Sequence, residues 1–309
     1  MALSPPDRRA SPMPRRHLFA LAILCLALLI GATAARAADP TASGPVAGME
    51  RVSFASRADL GTDAPLDLVG YLSRPDGPGP FPAAVLLHGC GGIQRNTAVW
   101  RRFFTERGYA VFAVDSFGPR GVKEICHDAG VVTWSMRGAD AFGALDYLAA
   151  QPFVRADSVL VMGFSHGAGI ALDAASLRPL NGKPNERRSD APRFRAALAL
   201  YPACGYKVRQ EADYRIPVFI GIGAADDWTP APACETLLAR HHGAAPMELR
   251  LYVGAAHSFD NVDRPVTRLQ NVLNRNSPGG RGATVGGSPE SLAALQTDLA
   301  QFLAAETQR

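Results

Sequence analysis

The chain has 309 residues, 47% of them apolar, with 32 basic and 28 acidic side chains. Arg8, Arg9, Arg15, Arg16 and Arg36 fall with Asp7 in the first 37 positions, so residues 38–309 hold 27 charges of each sign. That balance gives no support for nucleic-acid binding, which needs a concentrated basic surface to neutralise phosphates, and 272 residues suffice for a single large core.

The first segment passes from a basic, proline-rich stretch to a continuous apolar run at residues 18–30 and then to Ala35-Arg36-Ala37. This order predicts a signal peptide cleaved after Ala37 and an exported protein, periplasmic or secreted. The apolar run is shorter than the roughly 20 residues of a membrane-spanning helix, so no stable membrane span is expected after cleavage. An uncleaved anchor is the rival reading, as is a lipoprotein modified at Cys25. Cys25, however, follows Ile23-Leu24 in mid-run, where lipid attachment wants small residues.

Residues 52–73 alternate in short apolar runs broken by Gly61-Thr62-Asp63, which predicts an antiparallel strand pair. After a proline and glycine cluster, residues 83–87 are wholly apolar and end in His88-Gly89, as in a strand buried on both faces. A helix is then predicted over 97–107, followed by strand 109–114, helix 136–150, strand 158–163 and helix 165–176. The series continues with strand 194–201, strand 217–222, helix 232–240, strand 247–253 and a last helix over 288–305. Strand and helix in turn predict a mostly parallel sheet covered on both faces. Residues 180–192 and 277–289 lack periodicity and read as surface loops, and no internal repeat or second domain is evident in 38–309.

Gly163-Phe164-Ser165-His166-Gly167 lies between a predicted strand and a predicted helix, the setting of a nucleophile elbow. A serine hydroxyl needs a base, and in this kind of fold the partners follow in the order serine, acid, histidine. Asp226 stands just beyond one later strand and His257 beyond the next, so strand ends on one sheet edge would bring them to Ser165. Asp227 competes with Asp226. The latter lies nearer the strand end and has Pro230 four residues on, whereas Asp227 is read as a helix cap or a solvated side chain. His241 and His242 read as surface residues at a helix C-terminus.

Two N–H donors are required to hold a tetrahedral oxyanion. His166, directly after the serine, supplies one candidate, and Cys90 in His88-Gly89-Cys90-Gly91-Gly92 supplies the other; His88 is read as fixing that loop. Four cysteines follow the leader: Cys90, Cys126, Cys204 and Cys234. Of the three pairings open to them, the placement of Cys204 and Cys234 just after strands favours joining these two, and with them Cys90 to Cys126. Buried free thiols are the alternative, and the spacing lacks a zinc pattern. Arg120 and Arg137 are candidates to receive a substrate carboxylate, against ordinary pairing with a local acid. Trp134 and Trp228 are candidates to line the pocket, against plain packing.

Taken together, LLHGCGG at 86–92, DSFGPRG at 115–121, GFSHGAG at 163–169, GAADDWTP at 223–230 and GAAHSFD at 254–260 resemble the dienelactone hydrolase family, a branch of the α/β-hydrolases. The resemblance covers most of residues 38–309. It implies the α/β-hydrolase fold: one domain with a mostly parallel, doubly wound sheet and helices on both faces. It also implies a hydrolase of small-molecule esters or lactones that uses no cofactor and no metal. The family's founding members carry a cysteine where this chain has Ser165, a departure that points toward ordinary ester hydrolysis. A catalytically silent binding protein on the same fold is the alternative, as is an acyltransferase or peptidase using the same three residues. The completeness of the triad argues against the silent protein, and the single short domain argues against an oligopeptidase. The oligomeric state is left open.

Overall fold

A computed structural model describes residues 46–57, 65–176, 192–209 and 213–307, besides Met1. The expected leader, with Cys25, lies outside the described residues, as do Gly61-Thr62-Asp63 and, except for Pro192, the loop expected at 180–192. Among the described residues no helix is long and apolar enough to cross a membrane.

Two antiparallel strands come first, β1 (Glu50–Ala55) and β2 (Asp67–Ser73). Next are β3 (Phe81–Leu87), α1 (Asn96–Thr105), β4 (Ala110–Asp115) and α2 (Trp134–Ala149). Then follow β5 (Val154–Phe164), α3 (His166–Ala175), β6 (Ala197–Leu200), the short α4 (Cys204–Arg209), β7 (Val218–Gly223), α5 (Pro232–Ala239) and β8 (Met247–Tyr252). The eight strands form one sheet in the order β1-β2-β4-β3-β5-β6-β7-β8, parallel from β4 to β8. This is the mostly parallel α/β sheet that the sequence predicts.

Strands β3 and β7 are apolar because both of their faces are covered. Ala83 to Leu87 of β3 and all six residues of β7 are buried. Right-handed crossovers put α1 on one face and α2, α3 and α5 on the other, since the chain steps one way from β3 to β4 and the other way from β4 onward. That reversal leaves a crevice beyond the C-terminal ends of β3 and β5, the place where open α/β sheets bind ligands. Helix α2 starts at Thr133, whose Oγ1 accepts the N–H of Met136 at 3.3 Å and satisfies one free donor of the first turn.

Beyond β8 the regular alternation ends, which corrects one sequence expectation. Residues 277–289 are not simply a loop: they contain β10 (Arg281–Val285), paired antiparallel with β9 (Thr267–Leu273) in a separate two-stranded sheet. The last helix, α6 (Pro289–Thr307), follows and packs on β7 and β8. The hairpin escapes a periodicity reading because β9 is largely exposed and β10 is short and glycine-flanked. Its inner residues are set by tertiary contact, with Ala283 and Val285 buried.

Both expected cysteine pairings are present, Cys90–Cys126 and Cys204–Cys234. The second joins the start of α4 to α5 and is sealed in the core.

Candidate active site

Strand β5 runs into α3 through a turn in which Ser165 adopts φ 53° and ψ −112°, a backbone state that L side chains rarely occupy. The turn is held by the Ser165 N–H donating to Leu200 O at 2.9 Å and by Ser165 O accepting the N–H of Ala168 at 3.0 Å. Its two glycines are required by close approach. A Cβ on Gly163 would lie 2.1 Å from Gly167 O, and one on Gly167 would lie 2.1 Å from Leu87 O at the end of β3. Because the obstacles are backbone atoms, Gly167→Ala is expected to destabilise the protein by about 2–3 kcal/mol. Urea unfolding of the variant against the parent measures this, and an unchanged midpoint would show that the turn relaxes freely.

The His257 imidazole reaches the serine from the loop after β8. Its Nε2 lies 2.9 Å from Ser165 Oγ and its Nδ1 lies 2.7 Å from Asp226 Oδ2. The Asp226 side chain is wholly buried beyond the end of β7. Its Oδ1 accepts the N–H groups of Trp228 and Thr229 at 2.9 and 2.8 Å, which leaves Oδ2 facing the imidazole. With Oδ2 an acceptor, Nδ1 carries the ring proton and Nε2 is free to accept from the serine hydroxyl. The ring is held between Tyr201 and Trp228, each with its centroid 4.8 Å away.

Sequence reading missed two supports of this arrangement. Thr229 Oγ1 sits 2.9 Å from Asp226 Oδ2 and 3.2 Å from His257 Nδ1, so it bridges the pair. Asp260, completely buried beneath the histidine loop, accepts from Trp100 Nε1 and the Tyr201 hydroxyl at 2.8 Å and from Asn96 Nδ2 at 3.1 Å. Burial pushes the Asp260 carboxyl up, and these donors oppose the shift. Both residues lie inside motifs noted from the sequence, DDWTP and HSFD, but only a contact gives them a role.

A narrow cleft opens over Ser165 and His257. Gly89 to Gly92 form one wall, where a Cβ on Gly89 would come within 3.5 Å of the Ser165 Cβ. Cys90, Cys126, Trp228, Leu269 and Val285 complete much of the lining. The missed hairpin therefore roofs the site. Asp227 ties it down: its carboxylate accepts Arg268 Nη1 at 3.0 Å, the N–H of Thr284 at 2.7 Å and Thr284 Oγ1 at 2.9 Å. It neither caps a helix nor stands free in water, as the sequence reading had allowed. Trp228 lines the cleft as expected and donates Nε1 to Leu273 O at 2.7 Å.

The structure gives the other candidates different work. Arg120 makes a bidentate pair with the buried Asp140, both bonds at 2.8 Å, so its guanidinium is already occupied. Arg137 is almost wholly buried and donates to His88 O at 2.6 Å and to His166 Nδ1 at 3.0 Å. It braces the glycine loop against the elbow and does not line the cleft. Burial lowers its pKa to about 10. Trp134 does not line the cleft either; it donates to Asp173 and packs on the His166 ring with centroids 4.5 Å apart. His241 is no surface residue: its side chain is 7% exposed and donates Nε2 to Ala245 O at 2.7 Å.

His88 fixes its loop. Nε2 accepts the N–H of Ser116 at 3.3 Å, so Nδ1 carries the proton and donates to Gly89 O at 2.8 Å. Burial, reinforced by the Arg137 charge, holds its pKa well below the ordinary histidine value. The same two causes, with Lys207 nearby, hold His166 at about 2.

The dienelactone hydrolase family profile matches residues 68–275, which is well over half of the chain. A probable 2-oxo-3-(5-oxofuran-2-ylidene)propanoate lactonase of a Bradyrhizobium species is 24% identical over 227 residues, covering 68% of this chain and 86% of the lactonase. Esterase FrsA of Escherichia fergusonii is 26% identical over 138 residues, which is 44% of this chain but only 28% of the length of that esterase. Among solved structures, esterase 2 of Thermogutta terrifontis superposes with a TM-score of 0.57 at 18% identity over 84% of this chain and 95% of its own. Est1E of Butyrivibrio proteoclasticus gives 0.52 at 16% identity over 86% and 100%. These two likenesses are of fold. From the profile match, carried on an α/β-hydrolase fold, the chain belongs to the dienelactone hydrolase family.

Proposed function

We propose that the protein is an exported serine hydrolase that cleaves small carboxylic esters or lactones through an acyl-enzyme. The unbroken contact line from Ser165 Oγ through His257 to Asp226 carries this reading. His257 Nε2 takes the hydroxyl proton as Ser165 attacks the ester carbonyl, and Asp226 stabilises the imidazolium that forms. The N–H groups of His166, at the first turn of α3, and of Cys90 receive the oxyanion. Among the described residues, neither donates to a loop or turn carbonyl, so both are available. His257 then returns its proton to the leaving alkoxide, and water repeats the cycle in reverse to release the acid. The names of the lactonase and the esterases that resemble this chain support the substrate class.

The leader-like first 37 residues support export, and two disulfides suit an oxidising compartment. A fluorophosphonate, which phosphonylates activated serines, is expected to label the purified protein at Ser165 and to compete with ester turnover. Equal labelling of Ser165→Ala would overturn the assignment. N-terminal sequencing of protein recovered from the periplasm or medium is expected to begin at Ala38.

A further inference from the structure

Three loops distant in sequence meet at Cys126. Its disulfide reaches Cys90 in the glycine loop, and the neighbouring Ile125 N–H donates to Cys90 O at 2.8 Å. Its own carbonyl accepts the N–H of Leu273, at the end of β9, at 2.9 Å. The connection from β4 to α2 that carries Cys126 contains one three-residue helical turn, Gly118–Arg120, and its apolar anchor is a satellite cluster of Phe117, Ile125 and Val132 with Cys90, Val122 and Met136 packed on them. The Arg120–Asp140 pair and the backbone bonds at Ile125 and Cys126 also hold this segment, and the disulfide adds the one covalent tie between it and the glycine loop.

The two disulfides differ sharply in access. Cys90 and Cys126 are partly exposed and both line the cleft, whereas Cys204 and Cys234 are 1% and 0% exposed. Thiol exchange requires a thiolate to reach a sulfur, so the bond at the cleft is open to attack and the core bond is shielded.

We propose that Cys126 is a positioning residue: through its bond to Cys90 it holds the Cys90 N–H on the oxyanion, and a small dithiol entering the cleft turns the enzyme down. The proposal rests on Ser165 being the nucleophile. In the exchange, a dithiol thiolate attacks one sulfur of the pair, forming a mixed disulfide and expelling the other cysteine as a thiolate. The second thiol of the reagent then closes its own ring and frees the remaining cysteine. Two electrons pass from reagent to protein, and the two thiol protons end on Cys90 and Cys126.

The test treats the folded protein with dithiothreitol, traps free thiols with iodoacetamide and maps them by mass spectrometry. Steady-state kinetics on a short-chain ester and fluorophosphonate labelling of Ser165 follow. Removing an entire oxyanion donor costs about 10²–10³ in kcat, so a displaced one is expected to cost about 10- to 100-fold, with KM within about threefold. Alkylation is expected at Cys90 and Cys126 and not at Cys204 or Cys234, and a sample left unalkylated is expected to recover on reoxidation. Cys126→Ser is expected to show the same kcat loss without alkylation and to ignore the dithiol. Unchanged kcat in the alkylated protein or in Cys126→Ser, with Ser165 still labelled, overturns this proposal alone. Absence of labelling in the oxidised protein overturns the hydrolase reading and this proposal with it.

Discussion

Asp226→Asn is expected to lower kcat by about 10⁴ with little change in KM or in the urea midpoint. The two backbone N–H groups of Trp228 and Thr229 decide the outcome, because both point at Oδ1. An asparagine keeps its carbonyl oxygen on those donors and so turns its NH₂ group toward His257 Nδ1. The imidazole then has to accept there, which moves its proton to Nε2 and sets N–H against the Ser165 hydroxyl. The base is lost while the shape is kept. Asp227→Asn is the control: its carboxylate ties the β9–β10 hairpin through Arg268 and Thr284, so its effect is expected mainly in KM. Kinetics of both variants on one ester separate the roles, and a loss of kcat greater in Asp227→Asn would reverse the assignment of the acid.

Stability is expected to fall as the pH drops from 7 to 5, with His166 contributing about 2 kcal/mol of the loss, a sizeable part of what a typical domain has. His88 and His166 are both held neutral in the folded chain, with pKa values well below the ordinary 6.5 and at about 2 respectively. Burial is the first cause in each. Both rings also accept an N–H, from Ser116 and from Arg137, and protonation would oppose that donor. A folded-state pKa below the unfolded one means that the unfolded chain binds more protons once pH drops under about 6.5. For His166 this costs about 1.4 kcal/mol of stability per pH unit, so the stability is intact above pH 7 and is lost progressively as the solution is acidified. Urea unfolding at pH 7, 6 and 5 measures the slope. His166→Asn, whose amide oxygen can stand where Nδ1 accepts from Arg137, is expected to lower it; a slope equal to that of the parent would place the proton uptake elsewhere.

The chain order Ser165, Asp226, His257 was legible because each residue follows a strand, and parallel strands end on a common edge. The sheet itself was legible for a related reason: strands buried on both faces appear as unbroken apolar runs, as in residues 83–87 and 218–222. Boundaries shifted by a few residues, chiefly at β5 and β6. Glycine spacing around Ser165 marked a tight turn, though only the distances to Leu87 O and Gly167 O show why nothing larger fits.

Tertiary structure alone decided what each charge and ring does. Arg120 and Arg137 have the same chemistry in any sequence, yet one is consumed by Asp140, 20 positions away, and the other by His88, 49 positions away. The β9–β10 roof, the bridging hydroxyl of Thr229 and the buried Asp260 network are likewise invisible to periodicity. A strand or helix records in its own residues which face is apolar, whereas a polar side chain in a loop takes its partner from whichever distant segment folding brings within 3 Å.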